Sequence, residues 1–265
     1  MLCEKTFYEL SLLSYFDTYA VNIPVSDMIR HIQEDEQLMQ DYGQYPDFQN
    51  NMELVRQINP DEYAHMTVKE WYNDNADSGV VYYTFEMEDA LIFAFRGSEK
   101  LDDVHHKTGW QDWKDNFRMF LKDPTWQQIL TLHQIQKTDI QKPFYMCGHS
   151  KGGNLAMYAA IRETSLHQQI RKVFNFDGPG FRETFYAHYE CSGILSRIVT
   201  YLPQGSIIGR LLEHREATVV IEARESGLSQ HDAFCWSVGC DDFILAEGLS
   251  EESDKVQDYI QRVLL

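Results

Sequence analysis

Residues 143–163, PFYMCGHSKGGNLAMYAAIRE, join a short apolar run to a helix-forming run through Gly148-His149-Ser150-Lys151-Gly152-Gly153. A tight strand-to-helix turn forces its central residue into a strained backbone conformation. It leaves room only for very small residues two places before and two after. Gly148 and Gly152 meet that demand around Ser150. At ordinary glycine usage a G-x-S-x-G string arises by chance in roughly one chain in ten of this length, so the string alone carries little. Its flanks carry the argument: an apolar strand leads in and a helix leads out, the order that a nucleophile elbow needs. The helix would aim its free N–H groups and the positive end of its dipole at Ser150, favouring an oxyanion that develops there. The competing reading is a Gly-rich loop in which Ser150 only caps the helix.

Strand and helix patterns alternate outward from this stretch. VVYYTFEM (80–87) and ALIFAFRG (90–97) are rich in β-branched and aromatic residues and flank the acidic turn Glu88-Asp89, which reads as a strand pair entering a sheet. KVFNFDG (172–178), RIVTYLP (197–203) and TVVIEAR (218–224) read as further strands, and a last helix is expected from about Ser250. The alternation predicts an α/β fold with a mostly parallel central sheet and helices on both faces. Residues 1–78 read as mostly helical, a flank or cap, with 79–265 as the sheet core of a single domain. At 265 residues, one core is the default for such a fold.

Composition narrows the function classes. The 41 acidic residues outnumber the 23 basic ones, for a formal charge of −18, and no basic run stands out. Nucleic acid and anionic membranes would be repelled at long range. Five cysteines, odd in number and without CxxC pairs, suggest neither a disulfide scaffold nor a metal site. With no phosphate-binding loop either, no metal and no organic cofactor is expected. The opening residues mix acids with apolar side chains and make a poor signal peptide. No apolar run approaches the roughly 20 residues needed to cross a bilayer. A cytoplasmic protein without stable membrane insertion is the expectation.

A serine hydroxyl needs a histidine base, and the base needs an acid to fix its tautomer. In this fold both follow the nucleophile in the chain. Of the histidines after Ser150, His167 ends a polar helix, His188 lies within a helix and His214 precedes a strand. His231 lies in SGLSQHDAF (226–234), a loop just past the last strand, where function often resides. For the acid the first choice is Asp177, which ends the strand KVFNFD, so its side chain meets the active edge of the sheet. An aspartate also suits the Gly-Pro turn that follows. The loop after the next strand, LPQGSIIG (202–209), offers Ser206 but no carboxylate before Glu213. Two N–H donors are needed for an oxyanion: Lys151, next to the nucleophile, and Ser98 in AFRGS. Arg96 is read as an anchor of that loop, paired with an acid.

Several ordered motifs carry a resemblance. AFRGS, GWQDW, GHSKGGNLA and a histidine followed five places later by tryptophan resemble the class 3 lipases. GHSKGGNLAMYAA with NFDGPGF, LPQGSIIGRLLEH and QHDAFCW is more similar still to the bacterial, lipase-related Mbeg1-like domain. The resemblance implies an α/β-hydrolase fold, Ser150 as nucleophile, His231 as base, and Ser98 with Lys151 as oxyanion donors. It departs at the acid: class 3 lipases carry theirs where this chain has Ser206, and have Gly where it has Asp177. Residues 101–121, with Trp110, Trp113 and Phe117, correspond to the lipase lid; their spacing equally suits an amphipathic helix packed on the sheet. Asp112 and Asp115 read as structural partners of Arg96 or Arg118.

The expectation is a serine hydrolase acting on a carboxylic ester of a small-molecule or lipid acyl substrate. The alternatives are a thioesterase or amidase with the same triad, or an idle hydrolase-fold binding protein, since a fold does not determine its substrate.

Overall fold

The computed structural model describes residues 2–17, 20–38, 53–74, 77–98 and 124–264. Their centre is one eight-stranded sheet in the order β1 to β8, each strand beside its neighbour in sequence. The strands are β1 (Ile23–Pro24), β2 (Thr67–Asp74), β3 (Val80–Glu86), β4 (Leu91–Phe95), β5 (Phe144–His149), β6 (Ile170–Phe176), β7 (Ile198–Pro203) and β8 (Ala217–Ile221). The first four pair antiparallel, and β4 to β8 pair parallel. The expected hairpin at Glu88-Asp89 is β3–β4, closed by Met87 N–H donating to the Ala90 carbonyl at 2.8 Å.

Parallel neighbours in sequence order need crossovers, and right-handed crossovers all fall on one face of the sheet. That face carries α3 (Trp126–Lys137), α4 (Lys151–Arg162), α5 (Glu183–His188) and α6 (Ser192–Leu195). Phe93, Phe95, Phe144, Met146 and Val173 bury themselves there against Met157, Tyr158 and Phe185. The opposite face must be covered by chain from outside the parallel unit. It is covered by α1 (Glu4–Leu13) and α2 (Val25–Glu34), together with residues around Trp236 and Phe243. Alternate residues of the same strands, Ile92, Ala94, Cys147, Phe174, Phe176 and Tyr201, point into that second cluster. Phe7 stacks on Phe174 with ring centroids 4.1 Å apart.

This corrects the expectation for residues 1–78. The segment is not simply helical: β1 and β2 belong to the sheet, while α1 and α2 lie against its second face. TVKEWYND lacks the dense apolar run of a buried strand, so its strand character was masked. Its cross-strand aromatic pairs hold it, with Tyr72 stacked on Tyr82 and Trp71 on Tyr83. The last helix, α7 (Glu251–Leu264), begins where expected. No helix among the described residues is long and apolar enough to cross a membrane.

Candidate active site

β5 runs through the parallel part of the sheet and ends at His149, and α4 begins at Lys151. Ser150 is the single residue between them, with φ 57° and ψ −128°, a region that costs a non-glycine residue about 1–3 kcal/mol. The surroundings over-determine that conformation. Ser150 N–H donates to the Phe176 carbonyl at 2.8 Å, and the Ser150 carbonyl accepts from Gly153 N–H at 3.0 Å. A Cβ on Gly152 would lie 2.1 Å from the Phe95 carbonyl oxygen, and one on Gly148 would lie 2.4 Å from the backbone of Gly152. The elbow is thus a place where two strands and a helix start share space that only glycine leaves free.

Asp177 follows β6 directly and is fully buried, also at positive φ, 51°. Its N–H donates to the Tyr201 carbonyl at 2.9 Å, which ties the turn to β7. His231 ends the short 3-10 turn Gly227–His231 after β8. Its Nδ1 lies 2.6 Å from Asp177 Oδ2, and its Nε2 lies 2.9 Å from Ser150 Oγ. An ionised carboxylate only accepts, so Nδ1 carries the ring proton and Nε2 is left to accept from the serine hydroxyl. The structure therefore brings Ser150, Asp177 and His231 together. The other late histidines are engaged elsewhere: His167 with the Ala160 carbonyl, His188 with the Thr184 carbonyl and His214 with Glu216.

Residues unremarked in the sequence hold this array. His149 Nε2 donates to the His231 carbonyl at 2.8 Å, which leaves its Nδ1 to accept from the Tyr15 hydroxyl, also at 2.8 Å. Gln230 accepts from Gly205 N–H at 2.6 Å through its side chain and from Trp236 Nε1–H at 2.8 Å through its carbonyl. Tyr8 stacks on Trp236 and donates its hydroxyl to the Ala233 carbonyl at 2.5 Å. Only the histidine-to-tryptophan spacing hinted at any of this. Ser206 Oγ lies 2.5 Å from Asp177 Oδ1.

Lys151 opens α4, so its N–H belongs to the first-turn set that a helix cannot satisfy internally. Its side chain crosses to the Gly79 carbonyl at 2.8 Å. Gly97, the residue before Ser98, lies against the elbow, its Cβ position 2.7 Å from the His149 carbonyl. Arg96 anchors that loop as expected. It pairs with Asp17 and donates from Nε to the Ser14 carbonyl at 2.5 Å. The lid candidate 101–121, with Asp112 and Asp115, lies outside the described residues.

Two thiols sit near the array and neither competes as a nucleophile. Burial pushes the Cys147 thiol up to about 12 and the Cys235 thiol up to about 11, so both stay protonated at neutral pH.

A family model described as Mbeg1-like matches residues 59–264. No curated protein matches the chain. Among solved structures, a fungal lipase superposes with a TM-score of 0.51 at 12% identity, over 98% of this chain and 95% of that one. A mutant form of MDLA from Penicillium cyclopium gives a TM-score of 0.49 at 14% identity, over 95% and 89%. At 12% identity the likeness to the fungal lipase concerns the fold alone, which is that of the lipase-like α/β-hydrolases.

Proposed function

The chain belongs to the Mbeg1-like family, and from that premise we propose that it is a serine hydrolase that cleaves carboxylic esters of small-molecule or lipid acyl groups. One observation carries the reading: an unbroken hydrogen-bond path, Ser150 Oγ to His231 to Asp177, assembled from three separate elements. Ser150 is the nucleophile. His231 Nε2 takes the hydroxyl proton as Oγ attacks the acyl carbon, and returns it to the leaving alcohol as the acyl-enzyme forms. Water then repeats the cycle with His231 as base, and the acid product leaves. Asp177 fixes the tautomer and steadies the imidazolium. The N–H groups of Lys151 and Ser98 receive the oxyanion, helped by the α4 dipole.

The test is turnover of p-nitrophenyl butyrate together with labelling by a fluorophosphonate probe. Ser150→Ala is expected to lower kcat by roughly a million-fold and to abolish labelling. Activity equal to wild type in that variant would defeat the assignment. Acyl-CoA and amide substrates run beside the ester separate the bond classes by relative kcat/KM.

A further inference from the structure

We infer that Ser206 is a positioning residue of this site, the fourth member of a chain Ser206–Asp177–His231–Ser150; the inference rests on the triad reading above. A buried carboxylate must have its oxygens satisfied by donors. Asp177 has no exposure, and its Oδ2 is committed to His231. Its Oδ1 faces Ser206 Oγ at 2.5 Å, and Ser206 is itself only 1% exposed. With Oδ1 held by Ser206, the carboxyl plane cannot rotate away from the imidazole. The backbone of Gly209 closes the other side, where a Cβ would stand 2.2 Å from Oδ1.

Ser206 is held in turn. Its N–H donates to the Pro203 carbonyl at 2.8 Å, and its own carbonyl accepts from Ser253 Oγ at 2.5 Å. Next to it, Ser250 N–H donates to the Gln204 carbonyl at 2.7 Å. Gly205 N–H reaches the side chain of Gln230, the residue before His231. Residues 204–206 therefore touch the acid and the base turn together, and the stretch just before and into α7 fixes them. This loop is thus one brace shared by the acid and the base turn.

The charge argument has a definite sign. A hydroxyl donor spreads part of the negative charge of Asp177 away from His231. Without it the carboxylate holds an imidazolium more strongly, and His231 stays protonated to higher pH. Besides Asp177, the His149 ring faces His231, with centroids 4.9 Å apart, and Asp232, next in the chain, turns its carboxylate to Phe234 N–H. Neither changes when Ser206 is altered.

The full chain carrying Ser206→Ala tests this by kcat and KM for p-nitrophenyl butyrate against pH, by fluorophosphonate labelling rate and by thermal unfolding. The expected result is a kcat lower by about tenfold with KM unchanged and the acid limb of kcat/KM moved to higher pH, both restored in Ser206→Thr. Ser206→Cys keeps the size and weakens the donor. It should shift the limb the same way by less, and it serves where the alanine variant does not fold. A folded Ser206→Ala whose acid limb stays put, whether or not kcat falls, overturns the role while wild-type labelling keeps the triad. A wild type that neither labels nor turns over ester overturns the triad and, with it, the role of Ser206.

Discussion

The elbow at residues 148–153 and the turn Gly227–His231 each hold one side chain still, the first by crowding and the second by anchors. Around Ser150 the backbone is confined by its own six residues and by the strands on either side. A Cβ at Gly152 has nowhere to go, and Ser150 is held at positive φ. Around His231 the turn is a short 3-10 piece with little stability of its own. Tyr8, His149, Gly205 and Trp236 restrain it from the N-terminal helix, the elbow, the loop after β7 and the segment beyond the turn. Crowding is unforgiving at single positions, whereas several parallel anchors share the load.

The sharpest way to break that contrast is to remove the strain without adding bulk. Ser150→Gly deletes the nucleophile, so activity should fall by roughly a million-fold, as for alanine. Alanine keeps the unfavourable φ and glycine relieves it. After allowing for the greater unfolded-state entropy of glycine, Ser150→Gly should be more stable than Ser150→Ala by about 1 kcal/mol in urea unfolding. Equal stability would mean that the elbow is less strained than its dihedrals imply.

The same contrast explains what the sequence made legible. A constraint that lives inside six residues leaves a local mark, so Gly148, Ser150 and Gly152 could be read directly. Asp177 was readable because a strand end is a local feature, and His231 because it follows the last strand. The anchors were not readable, because Tyr8 lies 225 residues from the carbonyl it holds. That α1 and α2 help to cover the second face of the sheet was hidden for a related reason. A sheet whose crossovers all fall on one face needs a cover on the other, and that need appears only once strand order is known. In the sequence Ser206 stands only where a carboxylate is lacking, and its hydroxyl contact to Asp177 requires the folded geometry.

Between the two regions stands the turn after Asp177, which is braced by a buried polar chain. Asn175 bonds both the N–H and the carbonyl of Gly178 and donates to Thr200, which donates to Glu216. Burial alone would push the Glu216 carboxyl up. Its bonds to His214, Thr200 and the backbone outweigh that, and hold it below the usual carboxylate range. A carboxyl lowered on folding stabilises the fold above its unfolded value, and that contribution is lost as pH falls through the folded value. Glu216→Gln should therefore cost about 2 kcal/mol at neutral pH, and the gap to wild type should narrow below the usual carboxylate range. A gap that stays constant with pH in denaturant unfolding would show that the charge of Glu216 plays no part.

The smallest expected effect tests whether the anchors of the base turn do share their load. Tyr8→Phe keeps the ring on Trp236 and removes only the hydroxyl that donates to the Ala233 carbonyl. Burial raises the Tyr8 phenol well above its ordinary value, so at working pH it is a neutral donor. Its loss should cost about 1 kcal/mol of stability. His149, Gly205 and Trp236 still restrain the turn, so kcat for an ester should fall by no more than about threefold, a loss of roughly 0.7 kcal/mol. A far larger loss of kcat at nearly unchanged stability would show that Tyr8 alone sets the position of His231. The base turn would then depend on one contact as sharply as the elbow depends on Gly152.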